Sequence, residues 1–392
     1  MSSTRRLSTA LALGAVAVTL LAAPMAAAAK TVWVDDDGQA GPASCAGTAV
    51  APKKVAGGIK AAAAGDTIKV CPGQYAGTVR ITKNNLTVVS TTAQGAVLKP
   101  PADRTKADHV VFITADGVTF KNFRVLVPSG GRTAGECDLP SLGGLNAYDA
   151  SGMLITGTRI EGDDGPTSGT CGLVWGIFTE TSSGTITNTT VRNFSQLGMQ
   201  LDRGRVLVRG NTISYGHPGT TDLVGLRGIW LLGGSSSAID NTIGVEPGTA
   251  NNLDVGIVAD GTKGGVIGGN TIGGVDTGIW ADLKADGRIE DNVVTGAATG
   301  SVTGILIDRV DGAASSPALI IQRNTVTRFG EYGILADRSA DHLIRNNTVT
   351  GNTTDCRDTE NPLPNTWTQN KGSDVNTSEP VGLCDPAFMG AP

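Results

Sequence analysis

Short stretches of alternating apolar and polar residues cover most of the chain, and this alternation is typical of β-strands that bury one face. The stretches at residues 67–70 and 110–113 are rich in valine and isoleucine and are followed by turn-forming residues. One segment differs: between residues 52 and 64, Val55 and Ile59 stand four positions apart among lysines and alanines, which predicts a short helix. The chain is therefore predicted to be all-β apart from this helix.

The strands belong to a repeat whose clearest copy is Gly-Ile-Trp-Ala-Asp at residues 278–282. Close copies begin at Gly256, Gly304 and Gly333, and looser copies begin at Gly144, Gly176, Gly198 and Gly228. A second motif, apolar-x-x-Asn-x-(Ile/Val), alternates with the first. Its asparagines are Asn211, Asn241, Asn270, Asn292, Asn324 and Asn347, with Thr158 in the asparagine place and with Asn122 and Asn188 one position early. One copy of each motif per turn of chain predicts a coil of stacked turns.

The turns of this coil, here called rungs, are predicted to contribute short parallel strands that pair with the neighbouring rungs about 4.8 Å away. Inward aliphatic side chains would stack into columns, and no single rung could fold alone. An asparagine at an inward turn can bond backbone groups and its own copy one rung away, so we expect the asparagines to be structural. The helix at 52–64 should cover the first rung, and the irregular polar segment 351–392 should cap the last.

The first 29 residues have the features of a secretory signal peptide: a basic start with Arg5 and Arg6, a short apolar core, and small residues before Lys30. We therefore expect a leader over 1–29, the coil with its N-terminal cap over 30–350, and a C-terminal cap over 351–392. No second long apolar run is present, and a net charge of −5 argues against nucleic acid or an anionic membrane as a partner. The expected product is a secreted, extracellular monomer.

Six cysteines follow the leader, and an even count in an oxidising compartment favours disulfides over metal thiolates. Six cysteines allow fifteen connectivities. We predict that neighbours pair: Cys45 with Cys71 at the N-terminal cap, Cys137 with Cys171 in adjacent loops, and Cys356 with Cys384 in the C-terminal cap.

The intervals between the two motifs differ in regularity. From each motif glycine to the next asparagine the interval is nearly constant, whereas from each asparagine to the next glycine it varies strongly and is longest in the first half. One side of the coil therefore carries loops of changing length beside a rigid sheet, where binding and catalytic sites are usually built.

Alternation within Gly-Ile-Trp-Ala-Asp predicts that the isoleucine and alanine point inward and that the tryptophan and aspartate positions point outward. The tryptophan positions hold Asn146, Phe178, Gln200, Trp230, Val258, Trp280, Leu306 and Leu335. The aspartate positions hold Tyr148, Glu180, Asp202, Leu232, Asp260, Asp282, Asp308 and Asp337. Aromatic rings stack on sugar faces and carboxylates bind hydroxyl groups or Ca²⁺, so this face suits a glycan.

Two other interpretations of this face stay open: the aromatic side chains could lie under the loops, and the acids could cap turn amides. Like charges one rung apart also repel, so they need compensation. Arg203, Arg309 and Arg338 directly follow three of the acids and could supply it, as could a cation.

The opening (Trp33-Val-Asp-Asp-Asp-Gly38, then the run from Gly65 to Tyr75) and the two repeats resemble the right-handed parallel β-helix, or pectate-lyase-like, superfamily. The resemblance covers nearly the whole chain after the leader. It implies an all-β solenoid of about ten or more rungs with a polysaccharide groove along the Gly-Ile strands. The superfamily includes polysaccharide lyases, glycoside hydrolases, esterases, epimerases and proteins of no known activity.

Partial motifs leave the reaction open. Polygalacturonase-like hydrolases have Asp-Asp and Gly-His-Gly motifs, which Asp163-Asp164 and the run around His217 resemble in part, although the Asn-Thr-Asp motif is missing. Hydrolysis requires two carboxylates, and Glu180 and Asp202 are predicted on adjacent rungs. For β-elimination from a uronate, by analogy with the family, these acids would hold Ca²⁺ and Arg227 or Arg203 would be the base.

The predicted site therefore has three groups of residues. The candidate catalytic residues are Glu180, Asp202, His217 and Arg227; the candidate sugar-binding residues are Trp175, Phe178, Trp230, Trp280, Asp163 and Asp164; the candidate Ca²⁺ ligands are Asp260 and Asp282. The expected partner is a polysaccharide, and Ca²⁺ is the one cofactor that the sequence suggests. The alternative is a non-catalytic extracellular protein that uses the coil as a rigid rod for binding or support, which the missing motifs favour.

Overall fold

The chain winds into a coil with three short strands per rung, and each strand pairs in parallel with its counterparts one rung away. The computed structural model describes residues 28–41, 43–102, 109–127, 143–162, 173–215, 226–245, 253–282, 285–297, 300–309, 319–359, 365–373 and 378–385. Strands are numbered along the chain. Because strands of one kind stack on one another, the coil has three faces, called sheets 1, 2 and 3.

Sheet 1 contains the strand that precedes each asparagine motif. Its thirteen members within the described residues are β1 (Thr31–Val34), β4 (Thr67–Val70), β7 (Thr87–Ser90), β10 (Thr119–Lys121), β13 (Met153–Thr156), β16 (Ser183–Thr187), β19 (Arg205–Arg209), β22 (Ser237–Ile239), β25 (Gly265–Gly268), β27 (Gly287–Glu290), β30 (Ile320–Gln322), β33 (Leu343–Arg345) and β36 (Thr366–Thr368).

Sheet 2 follows the asparagine turn. Its strands are β5 (Gly73–Ala76), β8 (Ala96–Lys99), β11 (Arg124–Val127), β14 (Arg159–Gly162), β17 (Thr190–Arg192), β20 (Thr212–Tyr215), β23 (Thr242–Val245), the first part of β26 (Thr271–Asp282), β28 (Val293–Gly296), β31 (Thr325–Thr327) and β34 (Thr348–Thr350).

Sheet 3 contains the Gly-Ile strands. They are β6 (Val79–Ile81), β9 (His109–Ile113), β12 (Gly143–Tyr148), β15 (Leu173–Glu180), β18 (Phe194–Asp202), β21 (Arg227–Leu232), β24 (Leu253–Asp260), the second part of β26, β29 (Thr303–Asp308), β32 (Tyr332–Asp337), β35 (Thr354–Asp358) and β37 (Ser378–Glu379). The long strand β26 runs through both faces and joins sheets 2 and 3 into one hydrogen-bonded sheet.

Columns of aliphatic side chains fill the interior, as the alternation predicted. The isoleucine position of the Gly-Ile motif stacks in register from rung to rung and is fully buried: Ile177, Met199, Ile229, Ile257, Ile279, Ile305 and Ile334. Each such side chain contributes about 1.5–3 kcal/mol through burial, but only when the next rung covers it. The fold is therefore stabilised by stacking, which confirms the predicted solenoid.

The asparagines form a buried hydrogen-bonded ladder at the turn between sheets 1 and 2. The Nδ2 of Asn241 donates to Oδ1 of Asn270 at 2.9 Å and to the carbonyl of Val208 at 3.1 Å, and the backbone N–H of Asn241 also donates to Oδ1 of Asn270. The same three bonds recur along the series Asn211, Asn241, Asn270, Asn292, Asn324 and Asn347. The structural role predicted for these residues is confirmed.

Two predicted members of the ladder are displaced from it. Asn122 and Asn188 have positive φ angles of 67° and 48° and occupy the turn residue just before the ladder position. The ladder place on the second of these rungs belongs to Thr189, whose N–H donates to Asn211. Both asparagines stand one position early in the sequence because they serve the turn and not the ladder. Asparagine adopts the left-handed conformation of that turn more easily than most residues. The ladder also continues one rung further than predicted, to Asn370.

The glycine that opens each Gly-Ile motif is required by close approach between rungs. A Cβ atom built on Gly256 would lie 2.6 Å from the carbonyl oxygen of Gly278 and 2.6 Å from Cγ2 of Ile272. Equivalent clashes with the next rung occur throughout the column: Gly176, Gly198, Gly228, Gly278, Gly304 and Gly333. Since a carbonyl in a stacked sheet cannot move away, a side chain at this position must separate the rungs.

Replacing Gly256 with alanine is therefore expected to destabilise the protein by about 1–3 kcal/mol, the usual range for overpacking a rigid interior. Gly273, in strand β26, is the matched control because its added Cβ would meet no atom closer than 3.9 Å. Thermal unfolding measured by circular dichroism should show a lower midpoint for Gly256→Ala and little change for Gly273→Ala. Equal midpoints would contradict the close-approach explanation.

Both ends of the coil are closed as predicted. Helix α1 (Val55–Ala61) packs Val55 and Ile59 over the first rung, and a small antiparallel pair, β2 (Gln39–Ala40) and β3 (Ala49–Val50), lies beside it. A disulfide joins Cys45 to Cys71 at this end, and another joins Cys356 to Cys384 at the other. Cys137 and Cys171 lie outside the described residues, so their pairing stays a prediction.

The C-terminal segment contains more of the coil than its sequence indicated. Strands β35, β36 and β37 pair in parallel with the preceding rungs beyond residue 350, and Thr348 bridges to Lys371. The repeat motifs are absent there, which is why the boundary was predicted at Thr350. Within the described part of the chain, no helix is long and apolar enough to cross a bilayer.

Candidate functional site

The outward face of sheet 3 carries the two predicted columns in register. The tryptophan positions follow one another through direct strand pairing: Phe112, Asn146, Phe178, Gln200, Trp230, Val258, Trp280, Leu306, Leu335 and Arg357. The aspartate positions do the same: Tyr148, Glu180, Asp202, Leu232, Asp260, Asp282, Asp308 and Asp337. Sequence alternation thus placed both columns correctly, and the structure adds Phe112 and Arg357 to the first.

A third outward column lies just before the motif glycines, and its members contact the tryptophan column. The Trp175 and Phe178 rings, on one rung, have centroids 5.7 Å apart, and His109 stacks on Trp175 at 6.2 Å. Two rungs further on, the Arg227 guanidinium lies 4.2 Å above the Trp230 ring, a cation–π contact. The aromatic groups therefore form two clusters on this face, around Trp175 and around Trp230.

This face is partly covered, so the expectation of a fully open groove needs correction. Trp175, Trp230 and Trp280 are half-buried, and Val258 between the last two is buried. None of the three indole N–H groups has an acceptor among the described residues. A buried donor without a partner is costly, so each of these N–H groups is available to a ligand or a water molecule. The long loops on this side lie largely outside the described residues, so the interpretation that the aromatic side chains lie under them stays a prediction.

Arginines neutralise most of the acid column by reaching back one rung. Arg203 follows Asp202 at a left-handed turn with φ of 50°. Its Nε contacts Asp202 at 3.1 Å while its Nη2 contacts Glu180 on the preceding rung. Pairing with Asp202 and then with Glu180 raises the pKa of Arg203. The compensation predicted for this arginine is therefore present.

The same arrangement recurs at the far end of the column. Arg309 lies 3.3 Å from Asp308 on its own rung and 3.3 Å from Asp282 on the rung before. Arg338 lies 3.1 Å from Asp337 and 2.8 Å from Asp308. Since these carboxylates bind arginine side chains, the interpretation of Asp202, Asp308 and Asp337 as caps of turn amides is wrong for the described residues.

Asp260 is the exception in the acid column. The residue after it is Gly261 rather than arginine, and its carboxylate makes no ion pair or hydrogen bond with the described residues. Burial, followed by the charge of Asp282 on the next rung, raises the pKa of Asp260, while Arg227 and Arg309 oppose the shift. A carboxyl group kept protonated to higher pH than usual is suited to donate a proton.

The predicted catalytic set does not come together as a unit. Glu180 and Asp202 are neighbours, but both bind Arg203. Arg227 lies at the opposite end of strand β21, where its guanidinium covers Trp230 and influences Asp260. His217, Asp163 and Asp164 lie outside the described residues and stay predictions. Arg227 as an elimination base is therefore not supported by its position.

Asp260 and Asp282 are adjacent, as predicted for a Ca²⁺ site, but the residues fit that ion poorly. Ca²⁺ takes six to eight oxygen ligands, and Asp282 already pairs with Arg309. Among the described residues, the one group of three clustered metal-type side chains is Asp35 with Cys45 and Cys71, and the two cysteines are joined in a disulfide. The Ca²⁺ assignment therefore remains a sequence-based prediction.

The special status of Asp260 was missed, although the sequence contains a signal for it. Asp-Arg pairs occur at 202–203, 308–309 and 337–338, whereas an Asp-Gly pair occurs at 260–261. From the sequence alone, an arginine that follows an acid is expected to pair with that acid. The sequence does not show that the arginine also reaches the acid on the preceding rung. In the coil, glycine in place of arginine at position 261 leaves Asp260 without an ion pair among the described residues.

The three stacked parallel sheets, with a ladder of asparagines at one corner, define a right-handed parallel β-helix protein. Residues 175–349 match the family model described as "Right handed beta helix region". Residues 175–349 are thus a right-handed parallel β-helix region, and the described rungs on either side continue the same parallel coil, as the motifs predicted.

Solved structures of similar fold include the catalytic unit of a thermostable GH87 alpha-1,3-glucanase from Streptomyces thermodiastaticus. It has a TM-score of 0.56 and 16% identity over 95% of this chain and 73% of that chain. A mannuronic acid specific polysaccharide family 6 lyase from human gut microbiota gives a TM-score of 0.50 and 11% identity over 88% and 87% of the two chains. A periplasmic alginate epimerase gives a TM-score of 0.50 and 16% identity over 80% of this chain and 66% of that chain. No sequence among curated proteins matches significantly.

Proposed function

We propose that this protein is a carbohydrate-active, exported β-helix protein that binds a polysaccharide along the outward face of sheet 3 and hydrolyses it. The observation that carries the proposal is Asp260, a partly buried carboxyl group in the middle of that face that has no ion partner among the described residues. The similar folds of a glucanase, a lyase and an epimerase support a carbohydrate substrate. The two disulfides support an oxidising compartment.

The catalytic roles follow from the charge on each acid. Asp260 is the general acid because burial and the charge of Asp282 raise its pKa, so the protonated form persists to higher pH than in an ordinary aspartate. Asp202, whose carboxylate lies 3.1 Å from Nε of Arg203, is the base that activates water. Leu232 separates them, so the two acids lie two rungs, or about 9–10 Å, apart. That separation leaves room for water and is near the upper limit, about 9.5 Å, of the carboxyl spacing in inverting glycosidases.

Sugar binding falls to the aromatic side chains on the rungs between and beside those of the two acids. Trp230 lies on the rung between Asp202 and Asp260 and offers a ring face and a donor N–H without an acceptor among the described residues. Arg227 holds the ring in place from one side. Trp175 with Phe178, and Trp280 beyond, would extend the binding surface along the coil.

Replacing Trp230 with alanine should weaken glycan binding roughly 5- to 30-fold, because an aromatic–sugar contact is worth about 1–2 kcal/mol. Trp33 on sheet 1 is the matched control: it also lies beneath a cation, Lys69, at 5.1 Å, but on a different face. Isothermal titration with the hydrolysed glycan measures both variants. Unchanged affinity for Trp230→Ala, or an equal loss for Trp33→Ala, would move the binding site away from sheet 3.

The reaction itself is identified with a panel of purified glycans that includes α-1,3-glucan, pectate and alginate. Hydrolysis produces new reducing ends without ultraviolet absorbance, whereas elimination produces an unsaturated sugar that absorbs.

The second candidate is a non-catalytic binding protein, and the neutralisation of most of the acid column by arginine favours it. Binding to a glycan without either product on any member of the panel would support this alternative.

A further inference from the structure

A groove follows the corner between sheets 3 and 1, on the far side of the acid column from the aromatic face. Two adjoining depressions form it, of about 510 and 340 Å³. Their linings share three residues, Ser183, Arg205 and Ser235, so they are parts of one hollow, here called the corner groove. Pockets that hold small ligands have volumes of about 300–1,000 Å³, so the corner groove can accept a group larger than a single ion.

The corner groove exists because the turns that follow the acid column have small residues on three successive rungs. Gly204 and Gly234 occupy equivalent turn positions, and the Gly234 backbone has a φ of 62° that favours glycine. Ser182 occupies the same turn position one rung before Gly204, and Ser235 follows Gly234 at the position that Arg205 holds on the preceding rung. With no large side chain there, the strands on either side form the walls.

The walls of the corner groove are basic. Arg203, Arg205 and Lys263 line it. Arg203 is bound to Glu180 and Asp202, and Lys263 lies 3.5 Å from Asp286. These two cations are therefore partly neutralised.

Arg205 differs from its neighbours, because it forms no ion pair in the part of the chain that the structure describes and its side chain is exposed. On the same strand, Arg209 lies 3.1 Å from Asp240. One strand thus presents a paired arginine outside the groove and an unpaired one inside it. The net positive potential of the groove comes from Arg205.

Serine hydroxyl groups in the groove are arranged as donors. The Oγ of Ser237 accepts a hydrogen bond from the backbone N–H of Val266 at 3.1 Å, and the Oγ of Ser183 accepts one from Gly152 at 3.4 Å. Because each oxygen already accepts from the backbone, its own proton is available to donate outward. Donor hydroxyls beside an arginine are the chemistry that carboxylate and sulfate oxygens bind.

We infer that the corner groove binds an anionic group, a carboxylate or sulfate, with Arg205 as its main contact and Ser183 and Ser237 as supporting donors. We assign this anionic group to an acidic sugar unit, because Arg203 borders both the groove and the acid column. This assignment rests on the proposed function. A polysaccharide lying across sheet 3 can reach the groove over that residue. The substrate class is therefore an acidic glycan.

The inference is tested with full-length protein and three probes: inorganic sulfate, a tetramer of galacturonate, and a neutral glucose tetramer. Titration calorimetry compares the unchanged protein with Arg205→Gln and with Arg209→Gln, the control on the same strand. We expect sulfate and tetragalacturonate to bind at least about tenfold more weakly to Arg205→Gln, with no change for Arg209→Gln. Added salt should weaken both interactions, and each probe should displace the other.

The other outcomes overturn the inference in separable ways. If sulfate does not bind, or binds Arg205→Gln as well as the unchanged protein, the corner groove is not an anion site. If sulfate binds through Arg205 but tetragalacturonate does not displace it, the acidic sugar is the wrong carrier. Neither result bears on sheet 3, because glycan binding there is judged by Trp230→Ala, and the neutral tetramer should bind Arg205→Gln normally.

Discussion

Asp260→Asn is expected to lower kcat for glycan hydrolysis by about 10²–10⁴-fold, the usual contribution of general acid catalysis. Asparagine keeps the size of the side chain but cannot protonate a leaving oxygen. Because the Asp260 carboxyl group makes no ion pair or hydrogen bond with the described residues, the substitution should leave the fold and glycan binding intact. The thermal unfolding midpoint and the Kd for the glycan are the measurements that separate a catalytic loss from a structural one.

The same residue should set the high-pH limb of the activity profile. Only the protonated form of Asp260 can act as the acid, and burial together with Asp282 raises its pKa. Activity should therefore persist above the pH at which an ordinary aspartate ionises, and should fall as the pH rises through the raised pKa. Because the pKa of Asp260 is higher in the folded than in the unfolded protein, its ionisation lowers the stability of the folded state as the pH rises. Asp260→Asn should therefore abolish this small loss of stability at higher pH.

Two controls make the assignment specific. Asp337→Asn alters an acid of the same column that is paired with Arg338 at 3.1 Å, and it should change kcat by less than about threefold. The stereochemistry of the product, followed by nuclear magnetic resonance, distinguishes the partner acid. Inversion agrees with Asp202 two rungs away, whereas retention would indicate Asp282 on the adjacent rung. Full activity in Asp260→Asn would remove the proposed mechanism.

Asn347→Ala is expected to cost about 3 kcal/mol or more in stability. Oδ1 of Asn347 accepts from both the N–H and the Nδ2 of Asn324 at 2.9 Å, and its Nδ2 donates to Ile321 and Asn370. Truncation leaves several of these buried groups unsatisfied at about 1–3 kcal/mol each. The loss cannot be relieved by water, because the ladder lies inside the coil, where Asn347 is 1% exposed.

The preceding residue provides a matched control for that prediction. Asn346 adopts the left-handed turn conformation with φ of 54° and is exposed. Asn346→Gly keeps the turn, since glycine adopts this conformation readily, and should change stability by less than about 0.5 kcal/mol. Calorimetric unfolding of the two variants makes the comparison. Similar losses in both would mean that the turn, and not the ladder, is what asparagine supplies here.

Features within one strand were predicted correctly, whereas ion pairs between rungs were not. The outward columns were predicted correctly because alternation within a strand and repetition along the chain are both local patterns. The arginine bridges were foreseen only as adjacent charges: the pairs they form on the preceding rung join residues 23, 27 and 30 positions apart. No fixed spacing marks such pairs. The partial burial of Trp175, Trp230 and Trp280 could likewise not be predicted, because alternation assigns a side chain to a face and not an exposed area.

The sequence by itself determined the coil, its inward columns and its asparagine ladder, because each follows from a period of two and from a repeat that forces like residues to stack. Only the tertiary structure decided which acids are neutralised and which one is left without an arginine. That difference arises at the left-handed turn after each Gly-Ile strand, where an arginine is directed back across the preceding rung and a glycine, as at Gly261 after Asp260, directs nothing. The charge state of the site is thus a property of neighbouring rungs.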